Sequence, residues 1–251
     1  MTAMTKPLII GICIGIPALS LVFIASQLLW LKFNGTPVPR PEIPRGAQTI
    51  GTGPVLTYVV LGDSTSISQG GEYTEGYAAQ SAAHLAKTHT VTWLNAGVSG
   101  ATAQDVASEQ VARVLKYKPD VVLIAVGAND VTHRTTPKAV VASLEQTISK
   151  LRAANSQVRI VLTGSPDMGS PPRIPQPLRW IAGKRTVTLN KDIVALTERE
   201  GLVFAPIAAK TGPTFRKHPE LFAADNFHPT TEGYRLWTPV ITDALDQALQ
   251  P

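Results

Sequence analysis

The chain has 251 residues, a hydrophobic fraction of 44% and a formal net charge of +5 at pH 7. That length suits one sizeable α/β domain plus an accessory segment, and the lone cysteine, Cys13, excludes an intrachain disulfide and a cysteine-based zinc site. No dense lysine–arginine block or aromatic-interleaved basic stripe points to nucleic acid, so the positive balance reads as a solvated basic surface or as attraction to anionic lipid or cell-wall polymer.

After a short tail at residues 1–6, residues 7–31 carry no charged side chain. About 25 such residues are enough to cross a bilayer core as a helix. Trp30 suits an interfacial anchor, and Lys6 and Lys32 flank the run. The segment is expected to be a transmembrane anchor or uncleaved signal. A cleaved signal peptide has a shorter apolar stretch and an A-x-A-like site, for which Ile24-Ala25-Ser26 is a poor match. Lys32, Arg40 and Arg45 on the downstream side weigh toward an inside placement, yet long domains translocate largely regardless of charge. The stalk-like spacer and single cysteine favour an extracytoplasmic domain on a single-pass anchor.

Residues 32–54 read as a linker. Pro37, Pro39, Pro41 and Pro44 favour an extended segment, and Gly46, Gly51 and Gly53 add flexibility. Residues 55–251 form the expected folded domain, in which strand and helix patterns alternate. Strands are predicted at 56–61, 91–95, 121–126, 158–162 and 202–205, and helices at 77–87, 103–115, 138–154, 178–199 and 231–249. The continuous apolar run at 121–126 suits a strand buried on both faces. The expectation is a three-layer α/β/α sandwich, flavodoxin-like, with a mostly parallel five-stranded sheet and its ligand site beyond the carboxyl ends of the strands.

Four turns stand at such strand ends or before the last helix: Gly62-Asp63-Ser64, Asn95-Ala96-Gly97-Val98-Ser99-Gly100, Gly127-Ala128-Asn129-Asp130 and Asp225-Asn226-Phe227-His228-Pro229. A hydroxyl, an imidazole with a carboxylate three residues before it, and glycine- and amide-bearing turns form the parts list of a serine hydrolase. In these four blocks, in this order, the chain resembles the SGNH hydrolases, also called GDSL-type esterases and lipases. The resemblance spans roughly residues 56–249. One departure is Thr65, which stands where the GDSL name has leucine.

The resemblance implies Ser64 as nucleophile, His228 as base and then acid, and Asp225 as the carboxylate that orients His228. It implies the backbone N–H of Ser64, the backbone N–H of Gly100 and the side-chain amide of Asn129 as donors to the oxyanion. Glycine at 100 is expected to allow close backbone approach to substrate. Asp63 reads as a turn-stabilising carboxylate and Asn95 as a tie between loops. His84, His89, His133 and His218 are expected at structural or surface positions. The proline-rich loop after the fourth strand is the specificity candidate, with Asp167, Met168 and Ile174 as possible pocket residues.

These features predict a membrane-anchored serine esterase acting on acyl or acetyl esters of a lipid or cell-envelope glycan, with no cofactor and no metal. A related O-acyltransferase is the nearest alternative. Gly97-Val98-Ser99-Gly100-Ala101 imitates a nucleophile elbow but ends in alanine. A metallophosphoesterase using Asp63, Asn129, Asp130, Asp225 and His228 would lack an Asp-x-His pair. A non-catalytic glycan-binding protein would have no need of an activated hydroxyl.

Overall fold

The computed structural model describes residues 22–27, 36–38 and 40–250. Six strands form one sheet: β1 (Gln48–Ile50), β2 (Val55–Gly62), β3 (Thr90–Asn95), β4 (Val121–Ala125), β5 (Arg159–Leu162) and β6 (Val203–Phe204). Their order is β1-β3-β2-β4-β5-β6. β2 to β6 are parallel, and β1 pairs antiparallel with β3 at the edge. Without β1 this is the flavodoxin-like order. The chain leaves β2 for β3 on one side and then crosses to β4 on the other, which opens a crevice at the carboxyl ends of these three strands.

The helices are α1 (Tyr77–Leu85), α2 (Ala103–Asp105), α3 (Val111–Val114), α4 (Ala128–Thr132), α5 (Pro137–Ala154), α6 (Leu178–Glu200), α7 (Ile207–Lys217) and α8 (Thr231–Leu249). A π-helical segment, Val106–Gln110, joins α2 to α3. Side chains alternate across a strand, so Val59 and Leu61 of β2 enter one core with Val111, Leu144 and Ile193, from the helices of one layer. Tyr58 and Val60 enter the other core with Tyr77, Phe215 and Trp237, from the opposite layer. Every residue of β4 is buried, as two covered faces require.

The sheet has six strands, not the expected five, and it begins inside the predicted linker. β1 is three residues long, and its Gln48 and Thr49 are exposed, so no apolar alternation marks it. Pairing of Gln48 with Trp93 and Ile50 with Val91 makes it a strand. The folded domain therefore starts at Gln48 rather than at residue 55. The second addition is α7, whose Gly212-Pro213 pair argues against a helix in sequence. Burial of Ile207, Thr211 and Phe215 on one face offsets that penalty. Most of the predicted anchor lies outside the described residues; residues 22–27 are helical. Among the described residues no helix is long and apolar enough to cross a membrane.

Candidate active site

The β2 strand delivers Ser64 to the crevice. Its last residue, Gly62, is held on both backbone groups by one side chain: Gly62 N–H donates to Gln110 Oε1 at 3.0 Å, and Gln110 Nε2 donates to Gly62 O at 2.8 Å. The π-helical segment places this buried amide against the strand end. Beyond Gly62 the chain turns tightly, with Ser66 N–H on Asp63 O and Gln69 N–H on Ser64 O. Asp63 Oδ1 accepts from Thr65 N at 2.9 Å and Thr65 Oγ1 at 2.7 Å. Burial raises the pKa of Asp63, while these bonds act in the other direction. Thr65 also pairs with Tyr77 Oη at 3.0 Å, so the hydroxyl standing in place of leucine is built into this turn.

His228 arrives on a second tight turn. Asp225 Oδ1 accepts from the N–H groups of Phe227 and His228, both at 3.0 Å. Asn226 between them takes a left-handed φ of 55°, a conformation asparagine tolerates better than most residues. This frees Asp225 Oδ2 to meet His228 Nδ1 at 2.6 Å. His228 Nε2 lies 2.9 Å from Ser64 Oγ, across 164 sequence positions. Burial pushes the Asp225 carboxyl up, but the hydrogen bonds from the His228 side chain and from the two backbone N–H groups outweigh it and hold the pKa below the usual value. The carboxylate thus stays ionised beside the ring and fixes its tautomer. Phe227 sets its ring edge-on to the imidazole at 5.2 Å.

The two turns touch where Gly70 faces the histidine loop. Gly70 has φ +93°, and a Cβ there would lie 2.8 Å from Pro229 O and 3.0 Å from His228 Cβ. A side chain at this position would push the loops apart. On the donor side, among the described residues no protein group accepts from the N–H of Ser64 or of Gly100. Asn129 Nδ2 gives one proton to Ala101 O at 3.0 Å, which orients the amide and leaves its second N–H unspent. Gly100 is needed for its φ of +86°. A Cβ there would meet no protein atom within 4 Å, so among the described residues it is the backbone angle that favours glycine.

Other predicted residues separate. Asn95 ties loops, donating to Ser66 O at 2.7 Å and accepting from Gly97 N–H at 3.0 Å. Ser99 Oγ donates to Gln69 Oε1 and faces no base. His84 meets Asp246, His89 meets Thr88 and His218 meets Glu220, all away from Ser64. Spacing alone does not single out His228, because Asp130 also stands three residues before His133. There the carboxylate is buried and accepts from Ala103 N–H, while the imidazole is exposed. Among the described residues no three metal-binding side chains converge.

The pocket residues divide between two spaces. A small cavity beside Ser64 and Asn129 is lined by Met168, Phe215, Phe222 and Trp237, with Pro166 and Pro171. Ile174 belongs instead to a groove on the other side of His228. Asp167 touches the cavity, but its carboxylate is engaged by Arg216 at 2.6 and 3.0 Å and by Ser170 at 2.7 Å. Burial raises its pKa, and the Arg216 guanidinium together with the hydrogen bonds from Ser170 and Gly169 outweighs that and lowers it. Asp167 braces the wall against α7.

Sequence reasoning missed Gln110, Gln69 and Tyr234. Gln110 had a visible signal: it is a polar residue within the apolar stripe Val106, Ala107, Val111 and Val114. Gln69 and Tyr234 had none.

A parallel α/β/α sheet that carries a Ser–His–Asp hydrogen-bond chain at its switch point is the architecture of a serine hydrolase of the SGNH type. The chain belongs to the GDSL-like lipase/acylhydrolase family, whose family model matches residues 60–236. It is 34% identical over 155 residues to the GDSL-like esterase Rv1075c of Mycobacterium tuberculosis, a match covering 61% of this chain. The match spans about half, 48%, of that relative's length. Solved structures share the fold at lower identity. TesA superposes with a TM-score of 0.61 at 22% identity, covering 77% of this chain and 99% of that one. The psychrotrophic esterase EstA from Pseudoalteromonas sp. gives 0.60 at 21%, covering 77% and 98%. The phospholipase A1 from Streptomyces albidoflavus gives 0.58 at 19%, covering 75% and 99%.

Proposed function

We propose that the protein is a serine esterase that hydrolyses carboxylic esters through an acyl-enzyme. Ser64 Oγ attacks the ester carbonyl while His228 Nε2 takes its proton. Ser64 N–H, Gly100 N–H and the Asn129 amide stabilise the oxygen that becomes negative. The tetrahedral species collapses as His228 returns the proton to the departing alcohol. Water then attacks the acyl–Ser64 ester with His228 again as base, releasing the acid and restoring the serine.

The observation that carries this reading is the continuous Ser64–His228–Asp225 hydrogen-bond chain beside unspent N–H donors. Family membership and the name of the mycobacterial relative support it.

The test is turnover of p-nitrophenyl esters of increasing chain length by the full chain. Ser64→Ala should abolish it and Ser99→Ala should retain most of it; the reverse result sinks the assignment.

The uncharged run at residues 7–31 supports a membrane anchor, and the proline-rich spacer and single cysteine support an extracytoplasmic esterase domain. Detergent-free fractionation should leave the full chain with membranes, and a trimmed soluble product would point to cleavage. Protease accessibility in intact cells reads the side.

A further inference from the structure

His228 borders two spaces of opposite character. On one side is the apolar cavity that also touches Ser64 and Asn129. On the other is an open groove whose charged lining is Arg40, Arg134, Arg173 and Arg185 against one carboxylate, Asp225. That carboxylate already faces His228. Phe227 and His228 line both spaces and form the partition.

Among the described residues, two cations of this groove, Arg40 and Arg134, lack the carboxylate partner that several surface arginines have. Arg113, Arg152, Arg199, Arg216 and Arg235 each face a carboxylate, and none of them lines the groove. Arg40 and Arg134 are exposed, and among the described residues neither guanidinium has a partner. Arg185 donates to the carbonyls of Val131 and Thr135 at 3.3 and 3.1 Å, which orients its fork without cancelling its charge. Like charges gathered in one concavity repel each other and concentrate anions. A guanidinium fork matches phosphate and carboxylate.

We infer that the groove holds an anionic group, phosphate or carboxylate, carried on the alcohol side of the ester. This rests on the esterase reading above. The carbonyl must sit between Ser64 and Asn129, which both line the apolar cavity, so the acyl group is directed toward that side. A charge there would have no compensating partner and would pay heavily for lost water. The alcohol departs past His228, which returns its proton, and His228 also lines the groove.

The experiment uses two matched substrate pairs: hexanoylglycerol against hexanoylglycerol phosphate, and acetylglucose against acetylglucuronic acid. The readout is the ratio of kcat/KM for the anionic member over the neutral one. The wild type should prefer the anionic member of at least one pair by roughly tenfold or more, and added salt should erode that preference. In the double variant Arg40→Gln/Arg134→Gln the ratio should fall toward one, and Arg134→Lys should keep part of it. Preference confined to the phosphate pair identifies a lipid-type alcohol, and preference confined to the uronate pair identifies a glycan. A wild-type ratio near one in both pairs, or a ratio untouched by the double substitution, overturns the inference. Turnover surviving in Ser64→Ala would overturn the esterase reading instead, whatever the ratios.

Discussion

Tyr234 Oη donates at 2.7 Å to the backbone carbonyl of Gln69, 165 positions earlier in the chain. Tyr234 lies in the first turn of α8, just after the His228 turn, and Gln69 closes the turn that starts at Ser64. One buried bond therefore clasps the two halves of the Ser64–His228 pair.

Tyr234→Phe keeps the ring and removes this donor, leaving a buried carbonyl unpaired. The expected cost is about 1–3 kcal/mol of unfolding free energy. Turnover should fall with KM little changed, because the 2.9 Å contact between His228 and Ser64 loosens. Urea unfolding together with steady-state kinetics reads both, and a variant identical to wild type in both would refute the clasp.

Asp225→Asn tests the orienting carboxylate. The amide oxygen can still accept from the N–H groups of Phe227 and His228, so the turn should persist. The amide nitrogen would face Nδ1 and impose the wrong tautomer on the ring. A loss of roughly 10³–10⁴-fold in kcat is expected with the fold intact. Circular dichroism beside p-nitrophenyl ester turnover checks it, and near-normal kcat would remove Asp225 from the mechanism.

On the proposed mechanism, Asn129→Ala deletes a donor that meets the reacting oxygen in the transition state. The expected loss is about 10²–10³-fold in kcat, with KM nearly unchanged. The same change breaks one hydrogen bond, to Ala101 O, at a cost of about 1 kcal/mol. An equal rise in KM and fall in kcat/KM, with kcat preserved, would instead make Asn129 a ground-state binding residue.

Acid should weaken the fold through Asp167 and Asp225, whose pKa values are both lowered in the folded chain. Below the usual carboxylate value of about 4, the unfolded state takes up protons that these two groups still refuse. Their contribution is full above that value and is lost as pH falls through the depressed folded values. Asp167→Asn removes one of the two groups, so the stability gap between wild type and variant should narrow as pH drops. Urea midpoints from about pH 7 to about pH 3 measure the gap. A gap constant across that range would mean that the Asp167–Arg216 pair is not what titrates.

The strands from β2 to β5 and the closing helix were legible because their apolar runs are continuous or alternate cleanly, and each ends at a glycine-bearing turn or a cap. The site blocks were legible for the same reason: Ser64, Gly100 and Asn129 follow strand ends, where a switch-point sheet places its ligands. β1 was not legible, because two of its three residues are exposed and polar and its strand character comes from pairing with β3. α7 was hidden by Gly212 and Pro213, whose cost is offset by the burial of Ile207, Thr211 and Phe215.

Local pattern by itself determined the alternation of strand and helix, the family, and the short set of candidate site residues, since periodicity and turn chemistry are written over a few neighbouring residues. Tertiary structure alone decided which histidine meets the serine, which side chain holds Gly62, and that Met168 and Ile174 face different spaces. Those outcomes depend on contacts between residues far apart in the chain. No local window records such distances, and only the close packing of loops at Gly70 and Tyr234 sets them.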